Sequence, residues 1–269
     1  MGFFSIFRKS KSVSVIPLNG VIAPNMGRRK GLNLNEIDKN IEQAFSVKNL
    51  KAVALQINSP GGSPVQSEMI ANRIRELSDK NNVPVLAFVE DVAASGGYWL
   101  ACAADEIIAS KASIIGSIGV VSSGFGFNKA IEKIGIDRRL YTSGDNKAIL
   151  DPFLPENPDD IKRLKAIQSQ LHIQFINFVK SRRGSKIKDD NKDVFTGAFW
   201  SGEKSLDIGL IDSFGEMKSV LKERFGDQVK IKEFTPKKKL FGFSSLLSGA
   251  LDILIQKVDE KSIFKRFGL

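Results

Sequence analysis

One histidine and one cysteine stand among 269 residues, and that scarcity removes several chemistries at once. A zinc site takes three or four ligands, mostly from those two residue types, so no metal centre is expected. The lone Cys102 cannot close a disulfide within the chain, which suits a reducing compartment. A Ser-His-Asp triad would need His172 itself, yet His172 falls inside an amphipathic helical stretch and reads as an ordinary helical side chain. No GxxxxGK[ST] loop occurs, so nucleotide use is not indicated and no cofactor is expected. The apolar stretch at 240–255 falls short of the roughly 20 residues a membrane-spanning helix needs, and Asp252 interrupts it. The N-terminus lacks the apolar core and small-residue cleavage site of a secretory leader. These absences lead to the expectation of a cytoplasmic protein, peripheral on the inner face of the membrane.

What is present supports a large core, because 42% of the residues are hydrophobic and 26% charged. A disordered chain would carry fewer large apolar groups. The formal net charge of +10 is concentrated at the ends. Residues 1–30 hold six Lys/Arg and no acid, and residues 216–269 hold twelve against seven acids. The middle, with 22 basic and 23 acidic groups, is neutral. Basic ends attract nucleic acid or an anionic membrane surface. Phe3, Phe4, Ile6 and Phe7 beside Arg8, Lys9 and Lys11, and Lys237–Lys239 before an apolar run, favour the membrane. The same amphipathicity also fits helices packed on the domain or on a sister subunit. Nucleic-acid binding is not expected, since no motif for it is present.

Along the chain, Val13, Val15, Val21 and Ile22 read as strands around a Pro17/Gly20 turn region. A helix is predicted over 35–47, a strand over 51–58, and the breaker SPGG follows. Then come a helix over about 63–80 with Met69, Ile70, Ile74 and Leu77 on one face, a strand over 83–89, the small-residue turn DVAASGG, a short apolar helix, and a strand over 106–110. Further on, a helix near 126–134, a strand at 136–141, a polar turn before Lys147 and a long helix after Pro158 are expected. Strands alternating with helices indicate βαβ units and a largely parallel sheet. Such sheets place ligands at the carboxyl ends of their strands, where both SPGG and AASGG fall.

A serine at a tight strand-to-helix turn exposes its Oγ, and the first N–H groups of the helix lack intrahelical partners. Such donors suit a developing oxyanion. The glycine pair Gly61-Gly62 is placed to bring a second donor close. On these residues alone, Ser95 reads sooner as a helix N-cap and Lys147 as a solvated turn residue.

The blocks INSPGGS (57–63), VAASGGYWLACAADEIIAS (92–110), GSIGV (116–120), GDNKAILDPF (144–153) and FTGAFWSGEKSLDIGLIDSFG (195–215) resemble the signal peptide peptidase A family of serine peptidases, over roughly residues 13–225. The resemblance implies an α/β, Clp-protease/crotonase-like fold: a repeated ββα (spiral) core with parallel sheets and a C-terminal helical extension. It divides the chain into a basic amphipathic segment (1–12), a peptidase domain (13–234) and a basic amphipathic tail (235–269). It also implies a Ser/Lys dyad, with Ser95 as nucleophile, Lys147 as base and Ser117 orienting that base. Gly62 and Gly96 would form the oxyanion hole, and Gly61, Ser63 and Pro64 would line the substrate site. Peptide or protein substrates, such as unfolded or membrane-derived peptides, and a homo-oligomeric ring follow from the same resemblance. A crotonase-like acyl-CoA enzyme and a non-catalytic membrane-surface scaffold of the same fold are the competing readings.

A lysine base carries one physical condition. Its free pKa is about 10.4, so only burial makes it neutral near pH 7. Ala148, Ile149, Leu150 and Phe153 are the expected apolar wall, with Asp145 facing solvent.

Overall fold

The computed structural model describes residues 10–25, 31–188, 192–236 and 264–269. The segment expected over 1–12 and the tail over 235–269, with its helical extension, lie for the most part outside the described residues. In chain order the elements are β1 (Ser12–Asn19), α1 (Leu34–Phe45), β2 (Leu50–Ser59), α2 (Pro64–Asn81), β3 (Val85–Ala94), α3 (Gly96–Ala101), β4 (Glu106–Ala109) and β5 (Ile114–Gly116). They continue with α4 (Asn128–Lys133), α5 (Pro158–Arg183), β6 (Phe199–Ser201), α6 (Gly202–Asp207), β7 (Ser213–Phe214), α7 (Met217–Phe225) and β8 (Lys230–Glu233).

The eight strands form one sheet in the order β6-β5-β3-β2-β1-β8, with β4 joining β3 to β7. Every pairing is parallel except β5 with β6. This is the mixed α/β, mostly parallel architecture expected from the alternating pattern. Residues 119–175 form a compact unit of their own, and residues 1–118 with 176–269 form another.

Local chemistry sets the helix starts. Asn33 caps α1 by accepting from the Glu36 N–H at 3.2 Å. Ser63 caps α2, Pro64 fills its first turn, and Asn82 closes it in the left-handed conformation, each the residue type that position favours. α2 buries Ser67, Ile70, Ala71, Ile74 and Leu77. Ile70 and Ile74 are wholly inaccessible, each contributing roughly 1.5–3 kcal/mol by removal from water. Met69, expected on that face, is 41% exposed instead: it lies one position before Ile70, about 100° round the helix. On the sheet, Val13, Val15, Ala52, Ala54, Leu86, Phe88 and Ile108 pack with Leu221 of α7.

Three other expectations are corrected. Pro17 lies within β1 and not at a turn. The Val15 carbonyl accepts from the Phe234 N–H, just past the end of β8. Pro17, two residues on, faces the same edge beyond that strand, so its missing N–H removes no ladder bond. β3 continues through Glu90 and Asp91 to Ala94, because its edge is used twice, by β4 at Leu86–Val89 and by β5 at Val92–Ala94. Ser113 Oγ bridges this switch by donating to the Glu90 carbonyl at 2.5 Å. Finally, 136–141 is not a strand. No ladder partner for it exists among the described residues, and Ile136 and Tyr141 are exposed.

Candidate active site

Ser95 is the hinge between β3 and α3, with φ 52° and ψ −122°. A non-glycine residue held at such angles costs on the order of 1–3 kcal/mol and marks functional turns. The turn is fixed on both sides. The Ser95 N–H donates to the Gly116 carbonyl at 2.8 Å, and its carbonyl accepts from Tyr98 at 2.9 Å and Trp99 at 3.0 Å. Its side chain makes no capping bond to α3. Ser95 is thus the N-cap of α3 by position only, and the hydroxyl of this half-buried residue remains uncommitted to the helix.

Helix α3 is a rigid platform for this turn. The Tyr98 hydroxyl donates to the Leu210 carbonyl at 2.8 Å, and Trp99 stacks on Phe178 at 5.4 Å. Arg182 donates to the carbonyls of Cys102 and Ala104, and Arg75 to that of Ala103, which satisfies the acceptors of the cap and the two residues after it, at the end where cations are favoured. Cys102, the C-cap of α3, is buried, and that burial pushes its thiol up to about 12.

The SPGG breaker meets Ser95 directly. A Cβ on Gly61 would stand 2.7 Å from the Gly96 nitrogen and 2.8 Å from Ser95 Cβ, so only glycine fits there. The two glycines divide their duties. The Gly61 N–H donates to Ser59 Oγ at 3.2 Å, and its carbonyl accepts from Ile22 at 2.8 Å. The Ser63 N–H donates to the Ile22 carbonyl at 2.7 Å. Ile22 thus bonds to residues 61 and 63, and the parallel pattern turns the N–H and C=O of Gly62 to the opposite side. Among the described residues, neither the Gly62 nor the Gly96 N–H donates to a protein acceptor. Ser63 and Pro64 sit at the start of α2, with the Ser63 side chain engaged as its cap.

Ser117 lies one residue past β5, with φ 54° and its N–H donating to the Ala198 carbonyl at 2.7 Å. The same 1–118/176–269 unit therefore brings Ser95, Ser117, Gly61, Gly62, Gly96, Ser63 and Pro64 together.

Lys147 belongs to the 119–175 unit. It sits in the turn before α5, its N–H donating to the Gly144 carbonyl at 3.2 Å, and its side chain is exposed, as is Asp145. The expected apolar wall does not enclose it. Ile149, Leu150 and Phe153 are themselves exposed, and Phe153 turns to Phe127 and Arg138. His172 lies in α5 of the same unit.

Two features escaped the sequence reading. Asp212 accepts from Arg183, Lys186 and the Ile107 N–H, each at 2.7 Å, a convergence of distant residues with no local signature. Ser67 is fully buried beside Gly96. Its place on the buried face with Ile70, Ala71 and Ile74 was the available signal. Among the described residues, no group of three or more His, Cys, Asp or Glu could hold a metal ion.

Comparison with known proteins identifies the family. The model of peptidase family S49 matches residues 78–231. A protein named Na(+)/H(+) antiporter NhaA from Brucella abortus is 46% identical over 96% of this chain but only 37% of its own length. A putative protease of Methanocaldococcus jannaschii is 34% identical over 75% of this chain and 63% of its own. A probable protease SohB of Buchnera aphidicola is 32% identical over 77% of this chain and 61% of its own. The chain thus spans about a third of the antiporter-named relative and somewhat under two thirds of these proteases. Two mutant structures of a membrane-bound stomatin-specific protease share the fold at 17% identity. One has a TM-score of 0.54 over 85% of this chain and 99% of that one. The other, in complex with a substrate peptide, has a TM-score of 0.51 over 93% and 98%. The chain belongs to peptidase family S49, a family of serine peptidases related to the SppA and SohB proteases.

Proposed function

We propose that this chain is an SppA/SohB-like serine endopeptidase in which Ser95 attacks a peptide carbonyl and Lys147 is its base. The observation that carries the reading is the turn at Ser95, where an uncommitted hydroxyl stands on a strained backbone beside two uncommitted N–H groups, those of Gly62 and Gly96. An oxyanion hole needs such donors, and losing one typically costs about 10²–10³ in kcat.

In this mechanism neutral Lys147 takes the proton from Ser95 Oγ as the Oγ–carbon bond forms. The carbonyl oxygen becomes an oxyanion held by the Gly62 and Gly96 N–H groups. Lys147 then returns the proton to the leaving amine as the carbon–nitrogen bond breaks. Water repeats the cycle on the acyl-enzyme, and Ser117 orients the lysine. An extended substrate strand would run beside Gly62, using the edge that Ile22 leaves open.

Lys147 is exposed in the single chain, whereas a base near pH 7 needs a pKa about three units below its free value. Assembly of several copies would supply that burial. Val121, Phe125, Ile134 and Tyr141 present an exposed apolar surface in the unit that carries Lys147. We place the dyad across a subunit boundary of a homo-oligomer, acting on unfolded or membrane-derived peptides at the cytoplasmic face of a membrane, with the basic ends as its contact.

The test is covalent labelling by a fluorophosphonate from pH 6 to 10, with Ser95→Ala and Lys147→Ala alongside. Labelling mapped to Ser95 and lost in both variants is the expected result. Folded, oligomeric wild type that never labels would overturn the dyad.

A further inference from the structure

One α2 side chain packs against Gly96 and belongs to a residue with no part in the chemistry above. Ser67 has no exposed surface. Its Oγ donates to the Ser63 carbonyl at 2.9 Å, but that carbonyl already accepts from the Ser67 N–H at 3.1 Å. The hydroxyl is therefore redundant for capping α2, and its position is better explained by what lies on its other side.

There it meets Gly96. A Cβ built on Gly96 would overlap Ser67 Oγ first of all, and would stand 3.2 Å from Ile22 Cδ1 and 3.3 Å from the Gly62 nitrogen. Gly96 is not among the residues with positive φ, so its backbone angles alone would admit alanine. The requirement for glycine comes from the oxygen packed against it. Ser67 Oγ and the Gly62 nitrogen both border the space that a Gly96 side chain would take, where α2 abuts the start of α3.

We propose that Ser67 is a positioning residue for the oxyanion hole, its hydroxyl acting as a spacer that holds the Gly96 N–H in register with the Gly62 N–H. This rests on the reading of Gly62 and Gly96 as the two donors. Close-packed interiors transmit the removal of a single atom to their neighbours. A donor displaced by a fraction of an ångström loses strength where charge develops, in the transition state, and not where the ground-state peptide binds.

A double-mutant cycle tests it, with kcat and KM measured on a fluorogenic peptide and folding checked by circular dichroism. Ser67→Ala is expected to fold, because the Ser63 carbonyl keeps its backbone donor, and to lower kcat about tenfold at unchanged KM. Gly96→Ala is expected to lose about 100-fold or more, the scale of a lost oxyanion donor. In the Ser67→Ala background the same Gly96→Ala change is expected to cost at least tenfold less, since the overlapping oxygen is gone. Ser67→Cys, which restores an atom at the γ position, is expected to recover part of the Ser67→Ala loss.

Purely additive losses, or a Ser67→Ala effect confined to KM, would overturn the spacer role while leaving the Ser95 nucleophile intact. Should Gly96→Ala not fold, the kcat loss in Ser67→Ala and its recovery in Ser67→Cys decide the matter. A folded wild type without peptidase activity would remove the underlying reading, and this inference with it.

Discussion

Ser95 and Ser117 occupy equivalent places at the ends of adjacent strands. Ala94 pairs with Gly116, and each serine is the next residue on, with φ of 52° and 54°. The Ser95 N–H bonds to the Gly116 carbonyl, so the two strained turns are tied together. The hydroxyl and the backbone angle can be separated at Ser117. Glycine adopts positive φ freely, whereas alanine pays about 1–2 kcal/mol for it. Urea unfolding should show Ser117→Gly more stable than Ser117→Ala by about 1 kcal/mol. Both should lose kcat alike, on the order of 10–100-fold, if the hydroxyl orients the base. Retained activity in the glycine variant alone would assign the role to the backbone.

The glycines grade sharply by their surroundings. A side chain at Gly62 would overlap the Ile22 carbonyl at φ +143°, and one at Gly61 would meet Gly96 and Ser95 at φ +99°, while nothing lies within 4 Å of a Cβ at Gly124. Alanine at either Gly61 or Gly62 should destabilise by roughly 2–4 kcal/mol and abolish Ser95 labelling. Gly124→Ala should stay within about 0.5 kcal/mol of wild type. Thermal unfolding of the three variants would check this order.

Cys102 should be silent to thiol reagents in the folded protein. Burial at the C-cap of α3 holds its thiol at about 12, so thiolate at pH 8 is scarce, and solvent does not reach it. Iodoacetamide should modify it only at the rate of unfolding and completely in denaturant. Rapid modification of native protein would show that α3 opens locally and is not the rigid platform described.

The pattern of βαβ units, the breaker at SPGG and the turn at ASGG were legible because hydrophobic periodicity and glycine placement act locally. The readings that failed concern the neighbours of a strand. The continuation of β3 through Glu90 and Asp91 depends on two strands sharing its edge, and Pro17 is tolerated in β1 because β8 has already ended. Residues 136–141 carry strand-like composition without a ladder to join. That Ser95, Gly62 and Gly96 belong to one site came from the family resemblance of SPGG and ASGG, since on the residues alone Ser95 reads sooner as a helix N-cap. The surroundings of Lys147 were not legible, since an apolar sequence beside a lysine does not say which way its side chains turn. Ser67 escaped because a spacer acts through contact and leaves no motif.

Phe125 and Tyr141 are 81% and 89% exposed, far more than large aromatics usually are in a monomeric protein. If this surface joins copies of the chain, Phe125→Asp with Tyr141→Asp should shift the particle to monomer in sedimentation. The fluorophosphonate label at Ser95 should disappear in the same variant. A monomeric variant that still labels would show that one chain completes its own site.

Acid stability should centre on Asp212. Burial alone would raise its pKa, but hydrogen bonds from Arg183, Lys186 and the Ile107 N–H outweigh that and hold it below the usual carboxylate value. A carboxyl lowered on folding stabilises the native state above its unfolded pKa of about 3.9, and that contribution fades as pH falls through this range toward the folded pKa. Wild type should therefore lose stability below about pH 5 more steeply than Asp212→Asn, which has no proton to gain. At neutral pH, Asp212→Ala leaves the Arg183 side chain, 2% exposed, without its partner in the interior. Breaking a buried pair in this way costs about 3–5 kcal/mol. Because Arg183 also donates to the Gly209 carbonyl, and Tyr98 to that of Leu210, the loss should spread to α3 and slow Ser95 labelling. Urea unfolding at pH 7.5 and pH 4, with labelling rates at pH 7.5, would check both effects. A pH slope in Asp212→Asn equal to that of wild type would assign the acid sensitivity to other carboxylates.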